Sequence, residues 1–316
     1  MQGRANSFDA LRLIGALLVI AGHSYALTNS AAPRLAGIEI HGIGVRLFFA
    51  ISGFLITASY QRDPSFARFA MRRVSRIMPA LIAVVLLTVA ALAFITTADA
   101  GTYARGAGLY VIRNMVLLPY HALPGVFEHN PLSAVNGSLW TLPVEVFMYA
   151  LVPLIARAFR IVLLGLALLL LAEPITFEVF GFGLAGASTL IPYFLLGAFA
   201  QLVRLKVHAL IAAASAISLL VATAWPIPEI VIAIPFALLV LYVGSTRWLR
   251  HWPVDISYGT YLLAFPIQQL LIVAHPPIAP LWLALSTALI VAPLALLSWR
   301  YIEAPALNMA RRLTHG

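Results

Sequence analysis

A single all-α bundle of about ten transmembrane helices, with both termini in the cytoplasm, is the fold this sequence predicts. Three observations predict it. The 316 residues are 62% hydrophobic and only 10% charged, against about 25% charged in ordinary soluble domains. The apolar residues come in unbroken runs of near 20, the length a helix needs to cross a bilayer, and they lack the alternation of a barrel strand. The basic residues gather in alternate loops between those runs. A soluble, disordered or fibrous chain is excluded, because so few polar side chains could not cover it or keep it solvated.

The runs fall roughly at 8–28, 43–60, 77–97, 138–157, 161–175, 186–203, 208–225, 228–245, 255–274 and 280–299. Ser7 suits the cap of the first and Asp9 its first turn. Its histidine, and the Pro33 directly after the small residues Ser30-Ala31-Ala32, favour a retained span over a cleaved leader. The fifth run is short and ends at Glu173 and Pro174. Stretch 103–118, with Arg105 and Arg113, reads as an interfacial helix inside a long loop. Ten spans return both termini to one side. That side then collects sixteen of the 20 basic residues, Arg4 and Arg250 among them, and the other side four. The positive-inside rule makes the richer side cytoplasmic. With no long polar run, residues 1–316 read as one domain in a lipid bilayer. The net charge of +9 fits loops facing anionic lipid, and no nucleic acid is expected as a partner. There is no Cys, so disulfides and thiolate chemistry are excluded.

Charged groups inside spans are costly, about 2.5–3.5 kcal/mol each at mid-span, which makes them the first functional candidates. Arg12 and His23 are eleven residues apart, about 20° past three helical turns, so both leave one face of the first span about 16 Å apart along its axis. The plainer reading is a snorkelling arginine and a histidine bonded to a neighbour. Imidazole is also the natural proton acceptor near neutral pH. Arg72, Arg73 and Arg76 precede the third run, with Arg73 and Arg76 on one helix face, a fork able to hold phosphate or simply to set topology. Glu145 lies inside the fourth run, two residues after Pro143, which should loosen the backbone there. Ser52-Gly53 suggests close helix packing. His41, His121, His129, His208, His251, His275 and His315 sit in loops or at span ends, without metal-ligand spacing, so no metal is expected.

Six ordered stretches carry a resemblance: FDALR with Arg12 and His23, GVRLFFAISGFLIT at 44–57, RRVSRIMP at 72–79, SLWTLPVEVFMY at 138–149, DISYGTYLLAFPIQQ at 255–269 and YIEAP at 301–305. Together they resemble the acyltransferase-3 family, bacterial membrane enzymes that O-acylate carbohydrates and similar acceptors. The resemblance implies a ten-helix inner-membrane O-acetyltransferase using cytoplasmic acyl-CoA, usually acetyl-CoA, as donor substrate. It places the family's Arg–His pair on Arg12 and His23, its R-x-x-R on Arg73 and Arg76, and its acidic residue on Glu145. Ala264 stands where some members have His. The esterase-like domain of long members is absent from this sequence.

On that resemblance Arg72, Arg73 and Arg76 hold the donor phosphates, and Arg12, a catalytic candidate, lines the path or holds a phosphate. His23 takes the proton of the attacking hydroxyl, with Glu145 orienting it or stabilising its charge. Direct transfer and an acyl-histidine intermediate both remain open. The competing class is a proton-coupled transporter or flippase of a polysaccharide precursor, using the same groups as a relay. A third is a non-catalytic subunit of a polysaccharide assembly.

Overall fold

The computed structural model describes residues 7–172, 178–179, 182–183, 187–225, 227–249 and 254–315. Arg4, Glu173, Pro174, Arg250 and His251, used in reading the sequence, lie outside the described residues. The helices are α1 (Phe8–Leu27), α2 (Ile40–Arg62), α3 (Phe66–Leu92), α4 (Ala100–Met115), α5 (Thr141–Ile155), α6 (Arg160–Ala172), α7 (Ala187–Leu202), α8 (Ala209–Val221), α9 (Glu229–Ser245), α10 (Ser257–Ala274), α11 (Pro280–Ser298) and α12 (Ala304–His315). Two short antiparallel hairpins, β1 (Arg34–Leu35) with β2 (Ile38–Glu39) and β3 (Glu178–Val179) with β4 (Phe182–Gly183), join them.

Among the described residues, six helices are long and apolar enough to cross a membrane, and four more are apolar but shorter. Each of the ten apolar stretches read from the sequence holds one of them. The protein is therefore an all-α, multi-pass membrane protein. Helix α4 is the amphipathic helix expected in the long loop. The Asp99 side chain caps it, accepting from the Thr102 N–H at 3.0 Å. Hydrogen bonding from Thr102 holds the Asp99 carboxyl below its ordinary pKa. Its support for the helix is thus present above the ordinary carboxylate range and fades as pH falls through the lowered value.

The chain divides into two compact units. The first comprises residues 1–19, 33–69 and 144–253. Its central contact is α2 against α7, made possible by glycines on both sides. A Cβ on Gly53 would run into the Phe194 carbonyl, and one on Gly197 into the Ala50 carbonyl. That close approach is what Ser52-Gly53 suggested, and dispersion across it replaces the hydrophobic drive that lipid removes. Gly44 lies equally close to the Gly15 backbone of α1, and Gly244 of α9 receives the Phe8 ring. Ser7, expected to cap α1, ties that end to α9: its hydroxyl donates to the Thr246 carbonyl at 3.0 Å and accepts from the Leu249 N–H at 3.1 Å. Arg46 of α2 is answered by Glu229 at 2.7 Å, and the Tyr193 hydroxyl donates to the same carboxylate at 3.1 Å.

The second unit comprises residues 20–32, 70–143 and 254–316. Helix α10 is its spine. Apolar cores form around it from Ile20, Ala264, Val291 and Ala295, and from Leu27, Phe265, Ile272 and Leu283. Its polar side chains each fasten a different segment. Tyr261 donates to the Ser138 carbonyl at 2.8 Å, and the Leu262 carbonyl accepts from Asn136 at 2.9 Å. Gln269 donates to the Leu132 and Ala134 carbonyls, both at 2.6 Å.

Gly53→Ala should destabilise the folded protein by about 1–3 kcal/mol, because the neighbouring backbone must move. Gly108 of α4 has open space where a Cβ would stand, so Gly108→Ala should raise stability by about 0.4–1 kcal/mol. Thermal unfolding in detergent of the two variants, with midpoints moving in opposite directions, checks both.

Candidate active site

The arginine-rich end of α3 sets the electrostatics. The sequence put the third run at 77–97, but α3 begins at Phe66 and takes in Arg68, Arg72, Arg73 and Arg76. Arg68 stays at the surface, pairing with Asp63 through Nη2 at 2.6 Å and Nε at 3.0 Å. Arg72, Arg73 and Arg76 are half-buried.

Arg76 has the most complete surroundings. Its Nη2 lies 2.5 Å from Oδ2 of Asp255 and its Nη1 3.2 Å from Oε2 of Glu303. The rings of Tyr258 and Trp299 each stand 5.6 Å from its Cζ. Both carboxylates are themselves held. Asp255 Oδ1 accepts from the Ser257 hydroxyl at 2.5 Å and the Ser257 N–H at 3.2 Å, and Glu303 Oε1 accepts from the Ser298 hydroxyl at 3.0 Å. The Tyr258 hydroxyl donates back to the Ile77 carbonyl of α3 at 3.0 Å. Glu303 is 1% exposed and sits in a turn of π-helix, Trp299–Glu303. The wider π turn swings the carboxylate out of the α ladder toward the guanidinium. Gly259 is needed beside it, since a Cβ there would press on Glu303 and Ala295. The result locks α3, α10 and the end of α11 together.

His23 lies in the second unit, half-buried on α1. The Phe265 ring meets it edge to face at 5.2 Å. Directly beside it, the Gln268 amide donates to the Ile20 carbonyl at 2.8 Å and to the Ser24 hydroxyl at 2.7 Å. Ser24 in turn donates to the Ile20 carbonyl at 2.9 Å. This clamp fixes the turn of α1 that carries the imidazole. Ala264, where some family members have histidine, is buried in the adjoining apolar core.

Arg12 and Glu145 belong to the first unit. Arg12 faces Asp9 three residues earlier, at 3.8 Å. Glu145 is half-buried and accepts from the Tyr149 hydroxyl one turn later in α5. Pro143 does not loosen the backbone as expected. It falls in the first turn of α5, right after the 3₁₀ turn Gly137–Trp140, where its missing N–H breaks no helical bond. Of the sequence candidates, α3 thus brings Arg72, Arg73 and Arg76 together, and His23 shares their unit. The sequence reading missed Asp255 and Glu303 as the partners of Arg76. The available signal was an acid at the edge of each of two apolar runs. No group of three or more metal-ligating side chains occurs among the described residues.

Apolar helices with an intramembrane histidine and an arginine–carboxylate cluster suit a membrane enzyme, a transporter or a non-catalytic subunit. The comparisons decide between them. Residues 5–300 match the acyltransferase-domain model of the acyltransferase-3 family, and the chain belongs to that family. It is an acyl-transferring enzyme. It is 28% identical over 324 residues to an O-acetyl transferase of Shigella phage Sf6, an alignment covering 95% of each chain. It is also 28% identical over 363 residues to nodulation protein 10 of Rhizobium leguminosarum bv. viciae, covering 99% of this chain and 97% of the relative. No solved structure matches it.

Glu303→Ala leaves the Arg76 charge with one carboxylate fewer in a largely buried position and should cost about 3–5 kcal/mol. Glu303→Gln keeps a hydrogen-bond acceptor and should cost less. Unfolding midpoints of the two purified variants, ranked in that order, test the cluster; equal midpoints to the parent would remove its structural role.

Proposed function

We propose that the protein is an inner-membrane O-acetyltransferase that moves an acetyl group from cytoplasmic acyl-CoA to a hydroxyl of an exported or cell-surface carbohydrate. The name of the phage relative supports acetyl as the group and oxygen as the acceptor atom. The match over nearly the whole chain supports reading it as one acyltransferase domain. Ten spans with both termini cytoplasmic fit the ten apolar helices and the lopsided arginine distribution.

The observation that carries this reading is His23, an imidazole half-buried in a membrane helix with its turn clamped by Gln268. His23 is the general base. An acceptor hydroxyl gives it a proton while the hydroxyl oxygen attacks the thioester carbonyl. The C–S bond breaks, the sulfur leaves with the proton, and an O-acetyl ester remains. Arg72 and Arg73, with Arg76, bind the donor's phosphates as charge-assisted hydrogen-bond donors. The charged nucleotide then stays at the cytoplasmic mouth, and only the thin pantetheine arm enters the bundle. Carrying the whole cofactor across would bury several charges in hydrocarbon. Arg12 and Glu145 are positioning residues of the same reaction, proposed on their place in the family pattern.

Purified full-length protein in lipid nanodiscs, given labelled acetyl-CoA, tests the reading. His23→Ala should lower acetyl transfer by about 10²–10⁴-fold with the unfolding midpoint unchanged. Arg73→Ala should raise the KM for acetyl-CoA about tenfold or more, and by more than it raises the acceptor KM. Wild-type transfer by the His23→Ala variant would overturn the base assignment. Solute movement without CoA consumption would favour the transporter.

A further inference from the structure

One feature of the second unit plays no part in the donor chemistry. A cavity of about 510 Å³ opens where α1 and α10 end, between the long 93–136 loop and the α10–α11 turn. That volume lies in the range of small-molecule sites. Its polar lining is Thr28, Thr97, Glu128, His129 and Asn130, and prolines and Phe127 supply an apolar wall. Among the described residues, no Lys or Arg lines it, although the chain has 20.

The walls are built rather than left over. Gly125 and Phe127 both adopt positive φ, 68° and 57°. That backbone is costly for a bulky residue such as Phe127 and persists only where the surroundings enforce it. They do so here. Thr96 donates to the Pro124 carbonyl at 2.7 Å, the Thr97 N–H to the Gly125 carbonyl at 3.0 Å, and the Gly125 N–H to Glu128 Oε1 at 3.0 Å. A Cβ on Gly125 would strike the backbone nitrogens of Thr97 and Ala98. Asn130 donates to Gln269 Oε1 at 2.7 Å, and Gln269, fully buried, anchors the loop beyond. The cavity also continues the helix of the base. Leu27 and Thr28, which line it, are four and five residues past His23, about 6–8 Å further along the α1 axis.

We propose that this cavity is the acceptor site, and that it takes a neutral glycosyl unit. The inference rests on the acyl-transfer reading above. A sugar presents hydroxyls that both donate and accept, which a carboxylate, an imidazole, an amide and threonine hydroxyls answer together. Its C–H faces suit proline and phenylalanine surfaces. The same lining disfavours the donor's phosphates, since it offers them a carboxylate and, among the described residues, neither lysine nor arginine. In the proposed orientation the end of α1 lies away from the cytoplasm, so acceptor and donor reach His23 from opposite ends of its helix.

The absence of native cysteine lets a single introduced thiol report on the cavity. Val273 lines it and is half exposed. The full-length Val273→Cys variant in nanodiscs is treated with maleimide, with and without a mixture of methyl glycosides of neutral hexoses and deoxyhexoses. The mixture should slow labelling, and acetyl-CoA should not. Ile95→Cys, also in the lining, serves equally if Val273→Cys fails to fold. Glu128→Gln with His129→Ala should raise the glycoside KM about tenfold or more while the acetyl-CoA KM holds. Labelling unaffected by glycosides, or slowed by acetyl-CoA instead, overturns the proposal. Protection by glycosides in a protein that consumes no acetyl-CoA would uphold the sugar site and sink the acyl-transfer reading.

Discussion

Every charge and every backbone amide that enters hydrocarbon must be answered by another group of the protein. The second unit meets that demand through α10. Asp255 answers Arg76, and Ser257 holds Asp255. Tyr258 returns to the α3 backbone, and Tyr261, Gln268 and Gln269 each bind carbonyls of other segments. In water such bonds would be nearly neutral exchanges. In lipid the alternative is an unsatisfied group, so each one specifies which segment lies beside α10. Apolar side chains cannot do this, because lipid is as good a neighbour as leucine.

The same constraint bears on the chemistry. The general base proposed at His23 is useful only if its nitrogen waits where the proton will be released. Gln268 grips Ile20 and Ser24, the residues three before and one after His23, and Phe265 abuts its ring. The imidazole is therefore positioned by the same helix whose first turn helps anchor the arginine cluster through Asp255. A rigid element holding both features is the arrangement that preorganised sites require. The buried Arg76 cluster then has a purpose beyond stability. An ion pair in a dry setting is weak evidence of stabilisation, but it fixes the rotation of α3, and with it the direction in which Arg72 and Arg73 leave that helix.

What the sequence could reveal follows from the range of the interactions. The apolar stretches were legible because each is a local property of about 20 consecutive residues, and each holds a helix. The start of α3 was not, because four arginines within nine residues read as a loop until their partners are known. Those partners lie far along the chain: Asp255 is 179 positions from Arg76, and Glu303 is 227. Pro143 misled for a related reason. Whether a proline kinks a helix or starts one depends on where the helix begins, and the 3₁₀ turn before α5 decides that. Ser7 looked like a cap by local rules, yet its hydroxyl bonds to Thr246 and Leu249 at the far end of α9. His23 and Glu145 stood out because a polar residue within an apolar run is conspicuous without any partner.

Charge sorting connects the two substrates proposed for this enzyme. The proposed donor carries phosphates and needs cations, and the arginines of α3 are the groups proposed to provide them. The cavity proposed for the acceptor holds a carboxylate, an imidazole and an amide and, among the described residues, no guanidinium, in a chain where arginine is nearly the sole basic residue. A neutral glycosyl unit meets no repulsion there, whereas a nucleotide would. The carboxylate of the cavity disfavours the donor's phosphates, so electrostatics bias that site toward the neutral ligand. On the proposed reading the thioester sits at the end of the thin, uncharged pantetheine arm, the part of the donor able to leave the arginines and approach the imidazole. Selecting the acyl group for transport through the bundle, and rejecting the rest of the carrier, then follows from the cost of burying charge.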